Sequence, residues 1–207
     1  MPKDGLQDLI AKAQTGDTVA LERVLLDHYE ALHKFIASRF PTQLQSAIGI
    51  EDVLQDTLSK VCQRIGQYES QPNASFQAWL NTIAKNTLTD AINAEQAKKR
   101  GGPLGRRSLQ LDDERAARLL DIFWTDNHTP SKSLTRRESI QAIQIALAAL
   151  PEDYRDAIRY SHLEGLSLDQ VSERMDRSPG AVRGLLQRAR KSMNEHLMSA
   201  SLYLSRK

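Results

Sequence analysis

The final helical segment of the chain carries polar and cationic side chains at a spacing suited to contacts with DNA. From residue 178 onward, apolar residues such as Val182, Leu185 and Ala189 recur every three or four positions and predict one buried face. Arginine and lysine suit phosphate or guanine, a glutamine amide suits adenine, and glycine keeps bulk away from the bases. The candidate groove-facing residues are Ser178, Gly180, Arg183, Gly184, Gln187, Arg188 and Lys191. An amphipathic helix whose cations are only solvated is the alternative interpretation.

Residue types that perform catalysis or bind metals are sparse in the rest of the chain. The five histidines are scattered, with His28 and His33 five positions apart, and the single cysteine, Cys62, follows an apolar helix position. No cysteine and histidine cluster has zinc-ligand spacing, and no phosphate-binding glycine loop or nucleophile motif is present. We therefore expect no enzymatic activity, no metal and no cofactor.

A second set of polar residues lies on the predicted third helix, which begins near residue 50. Apolar residues such as Leu54 and Leu58 assign one side of this helix to the core. The same periodicity predicts that Asp52, Gln55, Asp56 and Ser59 point outward. Acidic side chains on one exposed helical side suit docking on a basic protein groove. A merely solvated acidic face is the alternative.

These segments belong to a chain whose apolar periodicity is helical almost throughout, which predicts an all-α fold. We expect a first helical domain over residues 1–97 and a second, four-helix domain over residues 138–207 that contains a helix-turn-helix. Residues 98–137 combine cations with glycine and proline, which predicts a flexible basic linker. A short apolar patch at 119–124 within this linker is expected to dock as one or two turns. Farther along, Ser167 and Gln170 have the spacing of a capping box.

Charge is distributed unevenly along the 207 residues, whose 28 Lys+Arg and 26 Asp+Glu give a net charge of +2. The first 97 residues hold 8 basic and 12 acidic side chains, residues 98–137 hold 10 and 5, and residues 138–207 hold 10 and 9. Such a modest total excludes general affinity for phosphate backbones, so any nucleic-acid binding must come from local clusters. One cysteine, no basic leader and no apolar stretch of membrane-spanning length predict a cytoplasmic protein.

The second half of the chain resembles the extracytoplasmic-function (ECF) sigma factors of bacterial RNA polymerase. The resemblance lies in residues 149–155, 162–167, 181–183 and 188–190, which look like region four of that family. It implies contact with the −35 promoter element and with the polymerase flap. Gly184 and Leu185 stand where the family commonly has a polar and basic pair, so base preference is not carried over.

The first half resembles region two of the same family. Residues 51–57 are similar to the helix that docks on the polymerase clamp. Residues 76–80 and 83–86, together with Asp90, are similar to the element that reads the melted −10 sequence. The resemblance also implies that the loop over residues 68–75 holds a flipped base. The implied −10 contacts are Tyr68, Asn73, Ser75, Lys85, Asn86, Lys98, Lys99 and Arg100.

The resemblance implies a sigma factor that binds core RNA polymerase through its clamp and flap, engages promoter DNA and directs promoter-specific initiation. Small members of the family are commonly restrained by an anti-sigma factor, so such a protein is a candidate partner, and no membrane insertion is expected. The linker would either thread toward the RNA exit path or act as a passive tether. The alternative functions are a helix-turn-helix regulator that binds duplex DNA without polymerase, and a module that only sequesters polymerase.

Overall fold

The computed structural model describes residues 3–42, 48–70, 75–99, 113–123 and 135–204. The regular structure of these residues is helical. These helices fall into two units, Met1–Asp112 and Asp113–Lys207. The all-α fold class predicted from the apolar periodicity is confirmed.

The first unit is built on a long central helix. Its helices in the described ranges are α1 (Lys3–Gln14), α2 (Thr18–Ala37), α3 (Ile50–Arg64), a single 3-10 turn (Ile65–Gln67) and α4 (Phe76–Lys99). Gly16 has a φ of 95°, which permits the sharp turn between α1 and α2. The carboxylate of Asp17 then accepts from the Ala20 amide at 3.0 Å and caps α2. Helix α2 packs against α1, α3 and α4.

The core of the first unit is aliphatic, with aromatic side chains at one end. Leu25, Leu32 and Leu80 are almost completely buried, and each such side chain contributes about 1.5 to 3 kcal/mol on removal from water. Phe76 and Trp79, at the start of α4, lie with their ring centroids 5.4 Å apart. This packing fixes where α4 begins.

The second unit contains the helix-turn-helix. Its described helices are α5 (Asp113–Phe123), α6 (Arg136–Ala149), α7 (Glu152–Ile158), a π-helical turn (Arg159–Leu163), α8 (Leu168–Met175) and α9 (Pro179–Leu204). The predicted capping box at the start of α8 is present. The Ser167 hydroxyl accepts from the Gln170 amide at 3.3 Å, and the Gln170 side chain accepts from the Ser167 amide at 2.9 Å.

Helix α5 lies within the segment predicted to be a flexible linker. It packs against α6 and α9, and Ala116, Leu119, Leu120 and Phe123 are buried. Over residues 113–123 the structure therefore differs from the predicted linker, while the expected docking of the apolar patch is observed. The clustered cations and glycines upstream dominate the composition of the whole segment. The short apolar stripe at helical spacing therefore did not lead to the prediction of a helix. Residues 100–112 and 124–134 lie outside the described residues.

Candidate nucleic-acid interface

The turn between α8 and α9 is held by local backbone geometry and by one ion pair. Asp176 has a φ of 52°, a left-handed conformation that aspartate adopts more readily than most residues. The Arg177 amide donates to the Ser172 carbonyl at 3.0 Å. Its guanidinium donates to the Asp153 carboxylate at 2.6 Å, which joins the turn to the start of α7. These contacts fix the direction in which α9 leaves the turn.

Helix α9 begins with a serine cap that is followed by a proline. The Ser178 hydroxyl accepts from the Ala181 amide at 3.3 Å, and Pro179 is the first helical residue. Val182, Ala189 and Met193 are buried on its inner side. Because α6, α7 and α8 all pack on this side, the opposite side of α9 faces solvent.

The predicted groove-facing residues share that solvent-facing side. The side chains or backbone of Ser178, Gly180, Arg183, Gln187, Arg188 and Lys191 are exposed, and Gly184 is half-buried. Their assignment to DNA contacts stays a prediction, but the structure brings them together on one face. This face is one side of an α-helix, and the major groove of DNA is wide enough to admit an α-helix.

The cations of α9 differ in whether they have a partner within the protein. The Lys191 ammonium lies 3.9 Å from the Glu195 carboxylate, and the Arg190 guanidinium donates to the Ile122 carbonyl at 3.5 Å. Within the described part of the chain, Arg183 and Arg188 have no hydrogen-bond or ion-pair partner. Their guanidiniums are therefore available to an external anion or base edge.

A charged network that the sequence analysis did not identify supports α8. The Arg159 guanidinium lies 3.1 Å from Asp156 and 4.4 Å from the ring centroid of Tyr160. Arg174 of α8 lies 5.1 Å from the same ring and 4.0 Å from the Glu164 carboxylate. The network joins the π-helical turn to α8. Helical spacing could have suggested the pair of Arg159 and Asp156, but no sequence signal indicated the contact with Arg174.

One histidine near this network has a shifted pKa. Burial of the His162 imidazole, together with the nearby charge of Arg190, lowers the pKa of that group below its ordinary value of 6.5. Its ring meets the Phe123 ring edge-on, with centroids 5.8 Å apart. His162 is therefore a packing residue between α5 and the π-helical turn.

Tyr68 is not available to hold a base. Its side chain is only 6% exposed, and its ring centroid lies 5.1 Å from that of Phe76 and 5.2 Å from that of Trp79. The Gln14 amide also donates to the Tyr68 carbonyl at 2.6 Å. The prediction of Tyr68 as an exposed loop contact is wrong, because this ring completes the aromatic end of the core.

Three other residues predicted to contact the −10 element lie where DNA could reach them. Ser75 is exposed and caps α4 by accepting from the Ala78 amide at 3.2 Å. Lys85 and Asn86 are adjacent and exposed on α4. Asn73 and Arg100 lie outside the described residues, and so do the side chains of Lys98 and Lys99.

The predicted polymerase-docking residues of α3 do not share an exposed face. Asp52 is 3% exposed and Gln55 is 1% exposed, whereas Asp56 is exposed. The Asp52 carboxylate accepts from the Gly49 amide at 3.0 Å and so caps its own helix. Because α2 and α4 both pack on α3, burial covers two sides of this helix. The prediction that Asp52, Gln55 and Ser59 point outward is wrong, since Ser59 is also buried.

Two features are absent from the described parts of the chain. No group of three or more histidine, cysteine, aspartate or glutamate side chains there is arranged to hold a metal ion. Among the same residues, none of the helices combines the length and the apolar character that crossing a bilayer requires.

Comparison with known families identifies both halves of the chain. Residues 25–98 match the model of Sigma-70 region 2, and residues 140–193 match the model of Sigma-70, region 4. Together the two matches cover more than half of the chain, in the order that the sequence motifs suggested.

Curated relatives match over almost the full length. The chain is 27% identical over 196 residues to the RNA polymerase sigma-H factor of Pseudomonas aeruginosa, covering 92% of this chain and 93% of that protein. It is 27% identical to the ECF RNA polymerase sigma-E factor of Haemophilus influenzae, covering 92% and 94%. For the sigma-E factor of Escherichia coli K12 the identity is 23%, covering 91% and 92%.

Two solved complexes each contain a chain that matches most of this chain. A chain of the RsbN–BldN complex is 20% identical, covers 90% of this chain and 97% of its own length, and has a TM-score of 0.34. A chain of the complex between the sigma factor RpoE and the anti-sigma factor NepR of Bartonella quintana is 21% identical. That match covers 84% and 94%, with a TM-score of 0.31.

Proposed function

We propose specific roles for exposed residues in this chain, which belongs to the ECF sigma factors and therefore binds core RNA polymerase and directs promoter-specific initiation. The first unit contacts the polymerase clamp and the −10 element, and the second unit contacts the flap and the −35 element. The chain positions DNA and does no chemistry itself, since polymerase performs nucleotidyl transfer. It acts in the cytoplasm, where it meets the polymerase.

In the second unit, α9 is the reader of the −35 duplex. The observation that carries this proposal is the exposed side of α9, where Arg183 and Arg188 lack partners in the described part of the chain and Gln187 lies between them. Guanidiniums without an internal partner lose no ion pair when they bind phosphate or guanine. Ser178, Gly180, Gly184 and Lys191 complete the contact surface.

In the first unit, the start and outer side of α4 contact the melted −10 strand. Ser75, Lys85 and Asn86 are exposed and offer a hydroxyl, a cation and an amide to an unstacked strand. Asn73, Lys98, Lys99 and Arg100 remain predicted contacts of the same strand. Tyr68 is removed from this set because its ring is part of the core.

Three residues of α3 were predicted to contact the polymerase clamp. We assign that contact to Asp56 alone. Asp56 is exposed on that helix, and a carboxylate there suits a basic protein groove. Asp52 acts indirectly by capping that helix, and Gln55 is buried beside it. The basic linker and a restraining anti-sigma factor stay predictions from the sequence.

A regulator that binds DNA without polymerase is not favoured, because the region 2 and region 4 matches occur together in one chain. A selection experiment tests the residue roles. Holoenzyme assembled from purified core polymerase and this chain would transcribe a library of promoters randomised upstream of the start. We expect two selected motifs, and we expect the upstream motif alone to disappear when Arg183 and Arg188 are both replaced by glutamine.

The matched control for this experiment is Arg118→Gln, which removes one exposed cation from α5 rather than from α9. Core binding of each variant is measured separately, so that loss of assembly is not mistaken for loss of DNA reading. Retention of the upstream motif by the double variant would remove α9 from its proposed role.

A further inference from the structure

Helix α5 is an element that neither family match includes, since those matches span residues 25–98 and 140–193. Its apolar residues have the spacing i, i+3, i+4 and i+7 of an amphipathic helix, and all four are buried: Ala116, Leu119, Leu120 and Phe123. Its other side carries exposed charged side chains. The second unit therefore binds one amphipathic helix that does not belong to its family-matched part.

Helix α6 is buried all round, whereas a surface helix of a small domain keeps one polar side in water. Every residue from Ser139 to Ala148 is buried, and most of them are apolar. Helices α5 and α9 both pack on α6, so α9 covers part of its apolar surface and α5 covers another part. Without α5, the groove between α6 and α9 would expose apolar side chains to a partner.

The family-matched part of the second unit exposes no large apolar side chain. Residues 140–193 are all described, and the exposed large hydrophobic residues of the described ranges lie elsewhere, at Val19, Met198 and Leu202. The exposed side of α9 is polar and cationic and is assigned to DNA. Because a protein interface has an apolar centre, the polymerase flap needs a surface that is covered while α5 is docked.

Two side chains of the second unit contact the C-terminal end of α5. The His162 ring meets the Phe123 ring edge-on, with centroids 5.8 Å apart, and the Arg190 guanidinium donates to the Ile122 carbonyl at 3.5 Å. Isolated helices of fewer than about 12 residues are marginal in water, and α5 has 11. Its helical form therefore depends on the burial of its apolar side. Another amphipathic helix that buries a similar side can take its place.

We infer that α5 occupies the surface on which the polymerase flap docks, and that α5 leaves this surface when the holoenzyme assembles. The groove between α6 and α9 then takes an amphipathic segment of the flap in place of α5, with apolar residues at the same helical spacing. The inference rests on the proposed contact of the second unit with the flap. It adds the position of that contact and an autoinhibitory element that lies outside the family matches.

Leu119→Asp places a charge in the buried side of α5 and tests whether release of this helix opens the docking surface. The apparent affinity of a masked surface rises with the fraction of molecules in which the surface is open. Leu119→Asp should therefore bind core polymerase more tightly, by roughly 5- to 150-fold, the usual range of coupling between two sites. The gain should be absent with core polymerase from which the flap has been deleted.

The matched control is Leu202→Asp, which makes the same substitution at an exposed position of α9 beyond the family match. It should leave the affinity for core polymerase unchanged. Weaker binding of Leu202→Asp would overturn the inference, because the flap would then dock on the exposed end of α9 and would not need the surface under α5.

Spin-label distances test the movement in a chain whose α5 is not weakened. Cys62→Ser removes the native cysteine, and Arg118→Cys on α5 is labelled together with Glu173→Cys on α8, since both positions are exposed. Departure of α5 from the groove should change this distance by at least about 8 Å, the separation of packed helix axes, when the holoenzyme forms. The control pair, Arg136→Cys on α6 with Glu173→Cys, should keep its distance.

The outcomes separate this inference from the broader proposal. Equal binding of the unaltered protein to intact and flap-deleted polymerase would end the proposed flap contact, and the inference with it. If deletion of the flap does weaken binding, an unchanged distance between the Arg118→Cys and Glu173→Cys labels in the holoenzyme overturns the inference alone, even where Leu119→Asp fails to fold. A gain by Leu119→Asp that persists without the flap, or no gain by a folded Leu119→Asp protein, also overturns it.

Discussion

The Arg155 guanidinium of α7 donates from Nε to the Leu147 carbonyl of α6 at 2.9 Å. Its Nη2 atom also donates to the carbonyls of Ala148 at 3.0 Å and Leu150 at 2.8 Å. The last carbonyls of a helix have no partner within that helix, and a cation there also interacts favourably with the helix dipole. One side chain therefore caps α6 and sets the angle at which α7 follows it.

We expect Arg155→Ala to destabilise the second unit by about 2 to 3 kcal/mol, since hydrogen bonds from a charged group to partly buried carbonyls are lost. Arg155→Lys should recover only part of this, because one ammonium cannot reach all three acceptors. Urea unfolding of the full chain, followed by far-UV circular dichroism, measures the loss. In a Trp124→Phe background, Trp79 fluorescence should report an unchanged first unit. Equal shifts in both signals would contradict a local cap.

Asp52 and Asp56 should separate stability from polymerase binding. Asp52→Ala removes the carboxylate that accepts from the Gly49 amide, and it should cost about 1 kcal/mol of unfolding free energy. Asp56→Arg changes an exposed position, and its unfolding free energy is measured so that loss of stability is separated from loss of binding. Asp56→Arg should weaken binding to core polymerase about tenfold, by placing like charges together. Titration of labelled protein with core polymerase measures this, and an unchanged affinity would remove Asp56 from the docking surface.

Tyr68 offers a test of core packing against base binding. Tyr68→Ala removes a buried aromatic ring and should cost about 3 to 5 kcal/mol of unfolding free energy. Tyr68→Phe keeps the ring contacts with Phe76 and Trp79 and should support normal promoter opening. Thermal unfolding and permanganate footprinting of the open complex measure the two effects. Loss of opening by a fully stable Tyr68→Phe protein would return this residue to the DNA-contact set.

Local signals in the sequence predicted the parts of the fold that depend on residues close together in the chain. The capping box of Ser167 and Gln170 and the buried side of α9 both follow from spacing and side-chain chemistry. The exposed side of α9 could be predicted for the same reason, because a single apolar stripe determines which side of a helix stays exposed. The contacts of that side with DNA stay a prediction.

Contacts between distant residues could not be predicted in this way. Helix α3 is covered on two sides. An interpretation that assumes one buried stripe therefore predicts that Asp52 and Gln55 are exposed, whereas both are buried. The contact between Arg177 and Asp153 joins residues 24 positions apart, and no periodicity indicates it. Helix α5 was not predicted, because the composition of the surrounding segment favours a linker. Its own apolar stripe is nevertheless buried against α6 and α9.

Protonation of His162 should destabilise the second unit. The folded pKa lies below the ordinary 6.5, mainly because of burial and also because of Arg190. As the pH falls, the unfolded chain binds the proton first, so this contribution to stability is complete above about pH 6.5 and decreases below it. His162→Gln should flatten the pH dependence of the urea midpoint between about pH 5.5 and 7.5, and Arg190→Gln should flatten it less. A His162→Gln slope equal to that of the unaltered protein would contradict this assignment.

Arg183 should contribute a sequence-independent phosphate contact. Each neutralised phosphate contributes about 0.9 to the slope of log affinity against log salt concentration, so Arg183→Gln should reduce that slope by about this amount. The Arg183 guanidinium is exposed and has no partner among the described residues. Its removal therefore takes away no hydrogen bond or ion pair among those residues. Holoenzyme binding to one promoter duplex across a salt series measures the slope. Arg118→Gln, which removes an exposed cation of α5 that lies 4.0 Å from Glu114, should leave the slope unchanged. Equal slopes for the Arg183→Gln and unaltered proteins would mean that Arg183 is only solvated, and a reduced slope with unaltered base preference would establish it as a phosphate contact.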